Sequence, residues 1–268
     1  MLKKVLPLEI SRDKFRSVLP IWQFLDLGRS MMEREQLKVL VACETSGTVR
    51  DAFFWQGFDA WSCDLLDADT PTNRHLKGDV LDVIGWDEWD LVLIGHPECT
   101  RLCNSGVRWL HQPPAGKTVE EMWSDLDRGV ALFRALMDAD VPMIAIENPV
   151  MHKHAKQKIW GAGWEKLCKD DGTFTRTTVQ PWHFAQSDDA EDNLKKMTHL
   201  WLKNLPALKR TGRVDGSTAR DDIHMAPPGE ERWKIRSKFH NGIAQAMATQ
   251  WGNAALQFKQ SQQQSIAA

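Results

Sequence analysis

From Leu37 onward, apolar and polar positions fall into blocks whose period switches in a regular order. Val39 to Cys43 and Leu91 to Ile94 are uninterrupted apolar runs, the mark of strands buried on both faces. Asp59 to Cys63 and Met143 to Ile146 read as two further strands. Thr48 to Gln56 predicts a helix that stops at Gly57. Met122, Leu126, Val130, Phe133 and Met137 recur every three or four residues, which predicts a helix from Glu120 to Ala139 with one buried stripe. Gly78-Asp79-Val80 closes a short third unit. Strands separated by helices imply an α/β fold: a doubly wound, mostly parallel sheet that receives ligands at the carboxyl ends of its strands.

The flanks read differently. Residues 1–36 form an N-terminal extension, with helical pattern from Asp13 to Leu27 broken at Pro20. Residues 37–150 make the main domain. Residues 151–231 predict a smaller, loop-rich region with two or three strands, one of them His199 to Leu202, and with Pro227-Pro228-Gly229 as punctuation. Residues 232–268 return as a closing helix, Asn241 to Trp251, followed by a mostly polar tail from Lys259 that is expected to fray.

Composition narrows the class. The 268 residues are 42% hydrophobic and 26% charged, an ordinary globular balance. No apolar run is long enough to span a bilayer and no secretory leader is legible, so a cytoplasmic protein without a membrane partner is expected. Five cysteines, Cys43, Cys63, Cys99, Cys103 and Cys168, form no framework spacing and predict free thiols. The net charge of −2 hides an asymmetry. Residues 37–150 hold 9 Lys+Arg against 19 Asp+Glu, and residues 151–213 hold 12 against 7. An acidic body beside a basic segment is the distribution that a polyanion-binding funnel needs, although solvated faces differ in the same way without it.

Three stretches carry candidate chemistry. The first is Cys43-Glu44-Thr45-Ser46-Gly47, a buried strand feeding a tight turn, where Ser46 and Gly47 let a ligand approach the backbone. Asp64, after the second strand, is placed to accept from ribose hydroxyls, and Asp79, after the third, from an adenine amino group. The second stretch is the loop after Leu91 to Ile94, with Pro97, Cys99, Thr100, Asn104, Ser105 and Gly106; a cysteine past the end of a buried strand is a candidate nucleophile. Cys103 reads as packing, and no second Cys/His pair stands at clear ligand spacing, so no metal is expected. The third is Glu147-Asn148-Pro149, where a strand-end carboxyl in an apolar setting is expected to hold a proton near neutral pH. A thiol and a carboxyl at adjacent strand ends suit covalent chemistry on a pyrimidine ring.

The order of these motifs resembles the cytosine-5 DNA methyltransferase superfamily, especially its short phage-type members. The resemblance rests on the seven-residue gap from Cys99 to Gly106, on Glu147-Asn148, Gly78-Asp79-Val80 and Asp64, and on the closing stretch from Arg236 to Gly252. It implies the class I S-adenosylmethionine-dependent methyltransferase fold, with S-adenosylmethionine held by Cys43, Ser46, Gly47, Asp64, Asp79 and Pro97. It also implies a cytosine flipped out of DNA, attacked at carbon 6 by Cys99, held at its ring nitrogen by Glu147 with Asn148 beside it, and methylated at carbon 5. Ser105, Arg176, Gln180, Lys195 and Lys196 are the implied substrate and DNA contacts, with Lys153, Lys156, Lys158 and Arg210 on phosphates.

The chain departs from the family pattern at three points. Glu98 stands where proline usually precedes the nucleophile, and a neighbouring carboxylate disfavours a thiolate. The first turn has fewer glycines. No Gln-x-Arg-x-Arg element is found; Gln180-Pro181-Trp182 stands near its place. Two other readings stay open: a related pyrimidine-modifying enzyme acting on a free nucleotide or with a modified cofactor, and a catalytically degenerate module that binds DNA or cofactor.

Overall fold

The computed structural model of the chain describes residues 31–95, 97, 99–225, 227, 229, 236 and 239–267. The extension before residue 31, together with Glu98, lies outside the described residues.

Seven strands form one sheet: β1 Lys38–Ala42, β2 Asp59–Asp64, β3 His75–Lys77, β4 Leu91–Ile94, β5 Met143–Pro149, β6 Thr175–Val179 and β7 Thr198–Lys203. Their spatial order is β3-β2-β1-β4-β5-β7-β6. The first five pair in parallel, while β7 runs antiparallel to both β5 and β6. This order with a reversed β7 is the class I methyltransferase arrangement. The order reverses at β1, between β2 and β4, and that switch point is where an open α/β sheet leaves a crevice at its carboxyl end. Residues 151–231 do not stand apart from the main domain, because β6 and β7 lie within them and complete its sheet.

The helices that matter for the site are α1 Thr48–Phe54, α2 Val80–Ile84, α3 Val119–Met137, α4 Lys153–Trp160 and α5 Asn241–Ala267. Strand side chains alternate between two cores, as the pleat requires. Val39, Val41, Leu93 and Ala145 pack toward α1 and α5, with Phe53, Met247 and Trp251 among their neighbours. Leu40, Val92, Ile94 and Ile146 pack toward α2, α3 and α4, with Phe133 and Trp201. Thr118 starts α3 with a reciprocal capping box to Glu121, one residue ahead of the predicted helix. The closing helix runs on through the polar tail to Ala267, sixteen residues past the predicted end at Trp251. Its Gln- and Ser-rich end contains neither glycine nor proline to stop it.

Trp201 and Trp251 serve as buried donors. Both are fully enclosed, and each indole N–H finds a carbonyl: Trp201 that of Cys168 at 3.1 Å, Trp251 that of Pro206 at 2.8 Å. Their rings fill large volumes between sheet and helices without leaving an orphaned polar atom.

Candidate active site

The first turn is built around a residue that the sequence did not single out. Glu44 is buried, and its carboxylate accepts from the backbone of Val49 at 2.9 Å and of Arg50 at 3.4 Å, the opening amides of α1. Burial pushes the Glu44 carboxyl up from its usual range, and these two amides, Ser46 and Arg50 pull it down. Ser46 Oγ lies 3.0 Å from both Glu44 and Thr48, so the hydroxyl is engaged within the turn. Arg50, also buried, folds its guanidinium across Gly47, which has a positive φ of 71°; a Cβ there would stand 2.2 Å from Nη2.

Cys43, in the left-handed region at φ 57°, faces the ends of β2 and α2. Burial raises its thiol far above the ordinary range, and the charges of Cys63, Asp64 and Asp79 add to that. Cys43, Asp64 and Asp79 therefore share one neighbourhood. Asp79 caps α2 through Leu81 N at 2.9 Å, and Asp64 accepts from Leu66 N at 3.0 Å. Pro97 is buried just beyond β4. Beside it, Gly95 brings β4 against β1 and under Phe239, since a Cβ would meet the Phe239 ring at 3.1 Å and the Ala42 carbonyl at 3.3 Å.

The loop bearing Cys99 is stitched to the exit of β5. Asn104 N donates to the Val150 carbonyl at 2.9 Å, His152 N donates to the Leu102 carbonyl at 3.0 Å, and Cys103 bridges Met151. The His152 ring completes the clamp. Its Nδ1 accepts from Ala155 N at 3.0 Å, which assigns the proton to Nε2, 2.6 Å from the Arg101 carbonyl. Burial lowers its pKa, consistent with this neutral form. The predicted nucleophile and the predicted carboxylate thus sit on one hydrogen-bonded unit. Gly106 sets its inner radius: a Cβ there would lie 1.9 Å from the Thr100 carbonyl. Gly106→Ala must push that backbone aside, and a loss of about 2 kcal/mol in urea unfolding is the expected result.

Glu147 is buried and lines, with Leu200 opposite it on β7, a narrow pocket. Lys196, Thr198, Phe239 and His240 complete much of its wall. The setting is less apolar than the sequence implied. Lys196 is half-buried and within electrostatic reach of both Glu147 and Cys99; burial pulls its ammonium down, and those two groups hold it up. Glu147 and Asn148 alternate across the strand, so Asn148 faces the other side of the sheet, opposite His199, and its Nδ2 donates to the Pro149 carbonyl at 2.6 Å.

The remaining predicted contacts scatter. Arg176 stands opposite Trp201 in the β6–β7 ladder, on the Asn148 side and away from the pocket. Gln180 flanks the pocket residue Val179 and leads into the turn at Pro181. Lys195 pairs with Asp221 at 3.8 Å, and Lys158 pairs with Asp127, so both are drawn into intramolecular ion pairs. Lys156 lies over Trp164 and Arg210 over Trp182.

Two features escaped the sequence reading. Asp192 accepts from Gly242 N at 2.6 Å and lies 3.6 Å from His240 Nδ1, fastening the start of α5 over the pocket. Cys103, read as packing, is polar in its contacts: its sulfur lies 3.0 Å from Ser105 Oγ and donates to the Thr100 carbonyl at 4.0 Å. Its neighbour Cys99, with Ser105 and the backbone of Ser105 and Gly106, lowers its pKa below the ordinary thiol range, against the opposing effect of burial. Spacings of two and of forty-eight residues gave no cue to either pairing.

No family model and no curated protein matches the chain. Solved structures do resemble it. One, described as a DNA modification methyltransferase encoded within a prophage (E. coli), matches at 12% identity and a TM-score of 0.37, over 62% of this chain and 46% of its own. The Entamoeba histolytica methyltransferase EhMeth matches at 12% identity and 0.38, over 67% and 58%. The S. pombe Dnmt2 methyltransferase matches at 12% identity and 0.34, over 73% and 57%. The chain thus spans about half the length of these proteins.

Proposed function

We propose that this protein methylates carbon 5 of a cytosine flipped out of DNA, using S-adenosylmethionine and a transient bond to Cys99. The observation that supports this reading best is the shared frame of Cys99 and Glu147, with Lys196 within reach of both.

The residues at the switch point fit a sulfonium cofactor. The ligand is cationic at sulfur, and the ends of β2 and α2 present Asp64 and Asp79 beside Cys43. Asp64 would hold the ribose and Asp79 the adenine edge, while Pro97 and the turn at Ser46 and Gly47 bound the site. Because Glu44 already fills the opening amides of α1, the backbone from Cys43 to Thr45 is what the turn offers the ligand. When bound, S-adenosylmethionine supplies an electrophilic methyl group.

The chain's own groups do the rest. Unstacking a base costs a few kcal/mol, and contacts in the pocket must repay it. The Cys99 sulfur bonds to ring carbon 6, and the electron pair of the carbon 5–carbon 6 bond moves toward carbon 5 and the ring nitrogen. Glu147 holds that nitrogen edge, and Lys196 balances the charge around both. Loss of the carbon 5 proton then breaks the sulfur bond and restores the ring. Arg210, Lys153 and Lys156 are the cations best placed to take phosphates, since Lys158 and Lys195 are already paired.

The test is trapping. Duplex DNA containing 5-fluorocytosine, incubated with protein and S-adenosylmethionine, should give a covalent complex that Cys99→Ala does not form. Nucleoside mass spectrometry of DNA from expressing cells should show 5-methylcytosine. Tight DNA binding without any adduct would refute the reading, and an adduct confined to free nucleotides would move the substrate there.

A further inference from the structure

The proposed reaction leaves one step without an assigned group. After carbon 5 has taken the methyl, its proton must go to a base before the sulfur can leave. Carbon 5 faces the methyl donor, so that base belongs where the cofactor crevice meets the Glu147 pocket. A short segment touches both. The Phe239 ring lies over Gly95 at the switch point, where a Cβ on the glycine would meet it at 3.1 Å. The next residue, His240, lines the pocket with Glu147 and Lys196. Its side chain is 13% exposed, and its Nε2 is buried, as is Glu147 Oε1. Asp192 Oδ1 stands 3.6 Å from the other ring nitrogen, Nδ1. The second oxygen of that carboxylate accepts from Gly242 N at 2.6 Å, so Asp192 is itself held in place at the start of α5. A carboxylate behind Nδ1 favours the tautomer with its proton on that nitrogen and leaves Nε2 to accept.

We infer that His240 is the base that takes the carbon 5 proton, with Asp192 as its positioning residue. The step rests on the methyltransferase reading. The bond from carbon 5 to hydrogen breaks, and the proton passes to His240 Nε2. The electron pair of that bond re-forms the double bond between carbons 5 and 6. The bond from carbon 6 to the Cys99 sulfur breaks in turn, and the sulfur leaves as a thiolate. The imidazolium that results faces the Asp192 carboxylate, which stabilises it until its proton passes to solvent. The other polar side chains of the wall, Glu147, Lys196 and Thr198, do not compete for this role. Glu147 is engaged at the ring nitrogen, an ammonium at Lys196 has no lone pair to offer, and a threonine hydroxyl is too weak a base at neutral pH.

Trapping on ordinary DNA separates this role from a structural one. A variant that adds its sulfur and transfers the methyl, but cannot remove the proton, stalls as a covalent protein–DNA complex on plain cytosine. The native protein completes the cycle and releases its product. His240→Gln, as full-length protein with S-adenosylmethionine and unmodified duplex DNA, should therefore accumulate a complex that survives denaturation. Its turnover should fall by about 10²- to 10⁴-fold. The same variant should still trap on 5-fluorocytosine, because that adduct forms before the proton step. Asp192→Asn keeps an oxygen for Gly242 N but presents no carboxylate to the imidazole. There kcat should fall by at least about tenfold with KM unchanged, and the same complex on plain cytosine should appear. This second variant decides the matter if His240→Gln fails to fold. Turnover of His240→Gln within about threefold of native overturns the inference, and so does lost turnover without the complex on plain cytosine. Native protein that never traps on 5-fluorocytosine overturns the methyltransferase reading itself.

Discussion

Glu147→Gln is expected to slow methyl transfer by about 10²- to 10⁴-fold while leaving the fold in place. The substitution is nearly isosteric, and Glu147 lies one residue past the end of the β4–β5 pairing, where its backbone pairs with Leu200 of β7 whatever the side chain. What is lost is the carboxyl's capacity to carry or exchange a proton at the ring nitrogen. A smaller second effect follows from charge. Lys196 loses an anionic neighbour while still half-buried, and an uncompensated cation there lowers stability. Lys196→Met alone should slow the reaction less, and the double variant should cost less than the sum, because the two charges answer each other. Tritiated methyl incorporation into DNA measures the first effect and urea unfolding the second. Methyl transfer within threefold of the native rate would remove Glu147 from the chemistry.

Much of this frame was legible because burial on both faces leaves a signal that needs no partner information. The runs in β1, β4 and β5 are apolar at every position that the parallel sheet encloses, and α3 shows its stripe at helical spacing. Strand β6, Thr-Arg-Thr-Thr-Val, gave no such signal. It is an edge strand, only Val179 of its five residues is buried, and its pairing with β7 does the specifying. The reversed direction of β7 likewise lies outside any local pattern, since it depends on how the chain returns across β5.

The candidate site divides along the same line. Cys99, Glu147, Asp64 and Asp79 stand at strand ends or in the turns after them, where position along the chain predicts position in the crevice. Alternation could have warned that Glu147 and Asn148 point opposite ways. Glu44 was hidden by its own turn: it precedes α1 by four residues and reads as a surface carboxylate, yet it folds inward onto the helix amides. The basic segment misled because charge counts do not reveal pairing. Lys158 and Lys195 contribute to the excess of positive charge in the sequence and are each matched by an aspartate in space.

Acidification from pH 7.5 to 5 should lower stability by roughly 3–4 kcal/mol, and two buried histidines are the cause. Burial pushes both His183 and His199 down to about 4; Arg210 assists at the first, and Arg176 and Lys156 at the second. In the unfolded chain each titrates near ~6.5. The native pKa is therefore depressed, so the stability is fully present above the unfolded value and is lost as pH falls toward 4. Over that range the unfolded state takes up protons that the folded state refuses. The carboxyls of Glu44 and Asp192, raised by burial, act in the opposite sense and favour the folded state as they take up protons. Urea midpoints at pH 7.5, 6.5, 5.5 and 5 should trace the loss, and His183→Gln or His199→Gln should each remove about half of the slope. A flat native profile over this range would contradict the assignment. The two histidines are not equivalent for function, because His199 stands directly opposite Asn148 in the β5–β7 ladder, one residue beyond Glu147. Charging it forces a cation between Trp201 and β5, where it adds to Arg176 and Lys156. Methyl transfer should therefore fall with pH before the protein unfolds, and His199→Gln, but not His183→Gln, should flatten that part of the activity profile.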